Sequence, residues 1–160
     1  MRMKIRWIAG LAAAVAMGCG RDRTVSDPRL ALLLDVPAHV APGDEVPVAV
    51  TLVNRATDSA RVAVEASGAL ELVVESGDGL ELVRQPAETA LTSNPDGLVL
   101  TPREIRGTGF VWDQRGGDGK PLAPGSYRMR VVLPRRSGDL ASPWKPFVID
   151  PPRSGSTTKN

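Results

Sequence analysis

VPVAVTLVN, residues 46 to 54, decides the fold class. Val46, Val48, Val50 and Leu52 recur at every second position, with Pro47, Ala49, Thr51 and Val53 between them. A period of two belongs to a half-buried strand, whereas an amphipathic helix repeats at about 3.6. The same pattern continues along the chain. In ARVAVEAS, from residue 60, Val62 and Val64 stand opposite Arg61, Ala63 and Glu65. In LELVVES, from residue 70, Leu70, Leu72 and Val74 alternate with Glu71 and Glu75, and after Gly77, Asp78 and Gly79 the alternation is expected to resume with Leu80 and Leu82, as in a hairpin. YRMRVVL, from residue 127, sets Tyr127, Met129, Val131 and Leu133 against Arg128 and Arg130.

Residues 30 to 36 make a first strand, 103 to 112 a strand before a Gly- and Pro-rich loop, and 144 to 149 a last strand. Turns of Gly, Pro, Asp and Asn recur at intervals near 8 to 12 residues, and no segment carries helical periodicity with caps. The predicted fold is all-β, an immunoglobulin-like antiparallel β-sandwich of about seven to eight strands, without the Cys pair and central Trp of antibody domains. Pro47 has no N–H to give a ladder, so its strand should lie at an edge or carry Pro47 on an unpaired side. Residues 85 to 98 are long for a hairpin connection and read as a crossover between sheets.

The two ends have a different composition. Arg2, Lys4 and Arg6 precede an apolar run over residues 7 to 17, the order of a secretory signal and too short to span a bilayer. Ala16, Met17, Gly18 and Cys19 resemble the lipobox of bacterial lipoproteins, with cleavage between Gly18 and Cys19 and lipid on the Cys19 thiol. Cleavage after Ala16 is the alternative. Cys19 is the single cysteine of the chain, so an exported protein offers it no internal disulfide partner. The expected organisation is a signal over residues 1 to 18, a lipidated Cys19 and tether over 19 to 28, one domain over 29 to 150, and a disordered tail over 151 to 160. Nine tether residues would reach about 30 Å at most. The chain is then exported and held at the cell membrane or the outer membrane.

Residues 1 to 18 hold three of the 20 basic side chains and none of the 18 acidic ones, which leaves 17 basic and 18 acidic groups after cleavage. Without a basic excess no nucleic-acid partner is expected. Arg135 and Arg136, the one basic doublet after the signal, read as part of a solvated loop.

The inventory argues against catalysis. His39 is the only histidine and falls in a predicted turn, so neither a nucleophile with its base nor a zinc site can be assembled. Glu65, Glu71, Glu75 and Glu81 occupy the polar faces of strands. Asp113 and Asp118 followed by Gly119 lack the acid spacing of a calcium loop. No catalytic residue, metal or cofactor is expected. The aromatics after the signal are Phe110, Trp112, Tyr127, Trp144 and Phe147. Phe110, Trp112 and Tyr127 are expected to meet in one cluster, and a sugar- or ligand-binding platform would require Trp112 or Trp144 to be exposed.

LTPREIRGTGFVWDQRGGDGKPLAPGSYRMRVVL, residues 100 to 133, resembles the C-terminal half of the bacterial intracellular proteinase inhibitor (BsuPI-type) domain. The elements are Leu100, Pro102 and Glu104; Trp112, Asp113 and Gln114; Asp118 and Gly119; then Pro124, Gly125 and Tyr127. Residues 42 to 45, a strand ending at Asn54, Ser67 with Gly68, and Asp78 with Gly79 fit the N-terminal half more loosely. Similar Pro-Gly-x-Tyr hairpins occur in sandwich modules of flagellar hook assembly proteins. The resemblance implies a non-catalytic protein-binding module, with a protease among the partners; the alternative is a structural accessory module of a surface or export assembly. Within residues 112 to 127, Trp112 should close its strand into the core, Asp113 and Gly119 bound an exposed bend, Pro124 preset a turn beside the permissive Gly125, and Tyr127 point inward. Gln114, Arg115, Asp118 and Lys120 form the candidate contact tip.

Overall fold

The computed structural model describes residues 24 to 65, 68 to 94 and 96 to 152. The signal, the Gly18/Cys19 junction, Cys19 itself and residues 153 to 160 of the expected tail lie outside the described residues. Eleven strands follow in order: β1 (Leu30–Asp35), β2 (His39–Val40), β3 (Val46–Asn54), β4 (Ala60–Val62), β5 (Ala69–Ser76), β6 (Glu81–Ala90), β7 (Leu98–Leu100), β8 (Ile105–Trp112), β9 (Gly125–Leu133), β10 (Leu140–Ala141) and β11 (Lys145–Ile149). Seven of them have five or more residues, within the seven to eight expected; of the four shorter ones, β4 falls in the alternation that starts at Ala60, and β2, β7 and β10 fall outside the expected strands.

The strands build an immunoglobulin-like sandwich. A small sheet has the order β1-β3-β8, a large one the order β2-β11-β9-β5-β6 with β10 on β9, and β4 pairs with β7 alone. All pairings are antiparallel except the short β2–β11 contact. The core lies between the sheets. Leu32 and Leu34 of β1, Val46, Val48, Val50 and Leu52 of β3, Leu70, Leu72 and Val74 of β5, and Met129, Val131 and Leu133 of β9 are all buried in it. Burying each such side chain contributes roughly 1.5–3 kcal/mol, and the alternation of residues 46 to 54 and 127 to 133 supplies Val46, Val48, Val50, Leu52, Met129, Val131 and Leu133 to this core.

The polar residue ending β3 has a structural role. Asn54 is fully buried; its Nδ2 donates to the carbonyls of Asp58 at 2.8 Å and Thr101 at 2.9 Å, while its Oδ1 accepts from the Ala56 N–H. This joins the end of the small sheet to the turn after β7. Glu104 closes that turn by accepting from the Thr101 N–H at 2.7 Å and its Oγ1 at 3.0 Å. The Thr101 hydrogen bonds, then Arg106, hold the Glu104 carboxyl below its ordinary range.

Three expectations about the strands change, and of the two alternatives for Pro47 the unpaired side is the one found. β3 is the middle strand of its sheet, not an edge; Pro47 pairs only with Val111 of β8, because β1 ends opposite Ala49. The missing N–H therefore sits where one flank is open. Leu80 is exposed in the turn, Leu82 is partly buried against the core, and Val83 is fully buried opposite Val74. A bulge shifts the register so that Glu75 pairs with Glu81, which moves the phase of β6 by one residue. Residues 85 to 90 extend β6, so the crossover to the small sheet runs only through residues 91 to 97 and β7. His39 lies in β2 rather than a turn, still exposed, 3.0 Å from the Asp150 carboxylate.

Residues 24 to 28 dock on the domain instead of continuing a tether. Thr24 bridges to Asp139, and the Val25 N–H donates to the Asp139 carbonyl at 2.9 Å. Arg135 is the cause. Its guanidinium is buried, not solvated, donating from Nη1 to the Asp27 carboxylate at 2.8 Å and from Nε to the Gly138 carbonyl at 3.0 Å. Partial burial pushes the Asp27 carboxyl up, but the hydrogen bonds from Arg135 and from the Arg29 and Leu30 backbone outweigh it and leave the group below its ordinary value.

Candidate functional site

β8 delivers Trp112 to the core and the chain re-enters the large sheet at Gly125. Between them the backbone folds over a fixed platform. The Trp112 Nε1–H donates to the Arg115 carbonyl at 3.2 Å, Leu122 N–H to the Gln114 carbonyl at 2.8 Å, and Gly116 N–H to the Lys120 carbonyl at 2.8 Å. The Gly117 N–H reaches Leu82 at 2.9 Å, which ties the loop to β6.

Gln114 does not belong to the exposed tip. It is fully buried, with its Nε2 donating to the carbonyls of Ala41 and Asp44 at 2.7 Å each and its Oε1 accepting from the Gly43 N–H. It holds a left-handed φ of 59° to do so. The alternation of β8 simply runs on: Trp112, Gln114 and Gly116 are buried while Asp113 and Arg115 are exposed. That continuing period is a signal in the sequence that could have placed Gln114 inside.

Arg115, Asp118 and Lys120 are exposed as expected. Arg115 Nη1 donates to the Gly119 carbonyl at 2.8 Å and its Nε lies 3.2 Å from Asp113, while the Asp118 carboxylate receives the Lys120 N–H at 3.0 Å. Gly119 has φ 76°, a backbone that a side chain would strain. Pro124 is exposed, Gly125 opens β9, and the Tyr127 hydroxyl returns to the Ala123 carbonyl at 2.5 Å, the tyrosine-corner arrangement of immunoglobulin-like sandwiches. Burial holds the Tyr127 hydroxyl above its ordinary pKa.

The aromatic cluster beneath this hairpin differs from the expected one. Phe147 stands edge-on to Trp112, centroids 6.0 Å apart, and stacks on Tyr127 at 5.6 Å. Phe147 thus supplies the central ring in place of Phe110, which packs at the rim of the core. Trp112 is buried and offers no ligand platform. Trp144 is half-buried, and its ring has the guanidinium of Arg128 at 4.8 Å and that of Arg130 at 4.4 Å. Arg128 also binds Glu75 at 2.5 Å. Sequence reading missed this stack, although the spacing of Arg128 and Arg130 places both on one outer face.

Chemically the hairpin offers two cations and two carboxylates on a held backbone. Among the described residues no group of three or more His, Cys, Asp or Glu side chains could hold a metal ion, and no helix is long and apolar enough to cross a membrane.

No family model and no curated protein matches the chain. Among solved structures, the alkylpurine DNA glycosylase AlkC of Pseudomonas fluorescens, bound to DNA containing an abasic site analog, is 13% identical with a TM-score of 0.49 over 77% of this chain and 31% of that one. The CARDB domain of PF1109 from Pyrococcus furiosus is 12% identical with a TM-score of 0.40, over 76% of this chain and 94% of the domain. A β-glucosidase from Listeria innocua is 14% identical with a TM-score of 0.41 over 76% of this chain. The chain spans about a third of the glycosylase and 16% of the glucosidase.

Proposed function

We propose that the chain is an exported, lipid-anchored module that binds another protein through the tip between β8 and β9 and performs no chemistry of its own. A protease is the first partner to test, given the resemblance of residues 100 to 133 to the BsuPI-type inhibitor domain. The observation that supports this reading is the preorganised hairpin. Arg115, Asp118 and Lys120 project from a loop whose backbone is tied to Trp112, Gln114 and Leu82, so a partner would meet a surface with little conformational entropy left to lose. The lipid anchor rests on the lone Cys19 and the residues before it.

Titration against a panel of serine proteases tests the binding role. Inhibition with a dissociation constant below about 1 µM, lost when residues 115 to 120 are replaced by an equal-length Gly-Ser segment, is expected. Digestion of the intact protein without inhibition would leave the accessory role in a surface or export assembly. Mass spectrometry of membrane-extracted protein tests the anchor; a mature chain beginning at residue 17 with an unmodified Cys19 would remove it.

A further inference from the structure

β8 ends its sheet: it pairs with β3 on one side and with no strand on the other. One hydrogen bond tells which of its backbone groups are left over. The Asn54 N–H donates to the Glu104 carbonyl at 2.9 Å, so these two residues form a hydrogen-bonded pair. In an antiparallel ladder such pairs recur at every second residue, which assigns Arg106, Thr108, Phe110 and Trp112 to β3. The N–H and C=O groups of Ile105, Gly107, Gly109 and Val111 therefore point away from β3, and all four residues are exposed.

The other ends of the two sandwich sheets are blunted. β6 carries Pro86, which has no N–H, along with Glu81, Arg84 and Glu88; β2 has only two residues; β1 lies beside β10. Charge, proline and shortness are the usual protections of a free edge. The outward positions of β8 hold Ile, Gly, Gly and Val, and its one charge, Arg106, is tied to Glu104 at 2.8 Å. Glycine inside a strand often marks a place where another backbone comes close.

Between this edge and β6 lies a recess of about 340 Å³. Phe110, Pro86 and Ala87 give it an apolar lining, Glu45, Glu88 and Asp113 add carboxylates, and no Lys or Arg lines it. Asp113 is shared with Arg115 at 3.2 Å, whereas Glu45 and Glu88 have no ion pair among the described residues. A strand laid along β8 would alternate its side chains, one set standing on the outer face beside Ile105 and Val111, the other turned inward opposite Thr108 and Phe110, toward the recess.

We infer that β8 accepts an extended segment of another protein as a fourth strand of its sheet, with apolar side chains on the outer face and a Lys or Arg opposite Phe110, its cation in the recess. Main-chain hydrogen bonds give such a contact its affinity, and the alternate side chains give it selectivity. The site is separate from the hairpin tip and stands whether or not the tip binds a protease. A second copy of the chain is the poorer occupant. Thr89 of β6 meets Thr108 of β8, hydroxyls 2.7 Å apart, so β6 lies alongside this edge in the facing sheet. Pairing β8 with β8 would bring two β6 strands, each with an exposed Glu88, against each other.

The test uses the full-length chain with Cys19→Ser, which cannot be acylated, and the end-blocked peptide Thr-Lys-Val-Lys-Val-Lys-Thr. Amide exchange followed by NMR is expected to be fast at Gly107 and Gly109 and slow at Thr108 in the chain alone. With peptide at about 1 mM and a dissociation constant on the order of 100 µM, mass action slows Gly107 and Gly109 about tenfold. Glu88→Lys changes an exposed side chain, should leave Tm unchanged, and should weaken binding about tenfold; Glu45→Lys should do the same. A peptide with Glu in place of every Lys should give no protection. Unchanged exchange with the Lys peptide, equal protection by the Glu peptide, or a Glu88→Lys chain that binds as the parent does would overturn the inference. So would protection of Gly107 and Gly109 in the chain alone: if it rises with protein concentration the edge belongs to a second copy, and if it does not, to the chain itself.

Discussion

Gln114 donates to the carbonyl of Ala41 at 2.7 Å across 73 positions of chain. With its further bonds to Asp44 and Gly43, it welds the loop after β8 to the turn before β3. Gln114→Ala removes three part-buried hydrogen bonds, although the Ala41 carbonyl still accepts from the Asp44 N–H, and each such loss costs about 1 kcal/mol. Urea denaturation should show a loss of about 2–3 kcal/mol. By comparison, Arg115→Ala and Lys120→Ala should stay within about 0.5 kcal/mol, since their ion pairs are exposed. A Gln114→Ala protein as stable as the parent would mean that the loop stands without its weld.

The Asp27–Arg135 pair predicts an acid limb. A carboxyl held below its ordinary value contributes stability that is complete above about pH 4 and is lost as pH falls through the folded value. Asp27→Asn should cost about 1–3 kcal/mol at pH 7, because it strips the charge partner from a buried guanidinium. It should also flatten the decline below pH 4. Equal acid slopes in parent and variant would assign the limb to other carboxyls, Glu104 and Asp78 among them, which are also lowered.

Tyr127→Phe removes the hydroxyl bonded to the Ala123 carbonyl and should cost about 1 kcal/mol. Burial raises the pKa of this hydroxyl, so the unfolded chain gives up the proton first. The contribution is therefore intact below about pH 10 and is lost as pH rises beyond it. Thermal melts from pH 8 to about pH 11 should fall for the parent and fall less for Tyr127→Phe.

These positions show which parts of the molecule are legible from sequence. Local periodicity marked the inward residues of β3, β5 and β9, because a strand with one buried face writes its own pattern. Turn chemistry located the ends of the hairpin at Trp112 and Gly125. The phase of β6 was lost because a bulge costs one residue and leaves no mark on composition. Arg135 was misread because its partner Asp27 lies 108 positions away, and nothing local separates a buried guanidinium from a solvated one. The open edge of β8 was hidden for the same reason: only the register against β3 separates the backbone of Gly107 and Gly109 from that of Thr108.

The docking of residues 24 to 28 gives the sandwich two poles. They attach beside Asp139 and Arg135, just past the end of β9, whereas the hairpin tip joins its beginning at Gly125. Nine residues of strand separate these points by about 27 Å. Four residues separate Cys19 from Thr24, about 14 Å at full extension. Arg115, Asp118 and Lys120 therefore lie at the pole opposite the segment that leads back to Cys19, so a partner held at the tip and whatever Cys19 carries meet different ends of the sandwich.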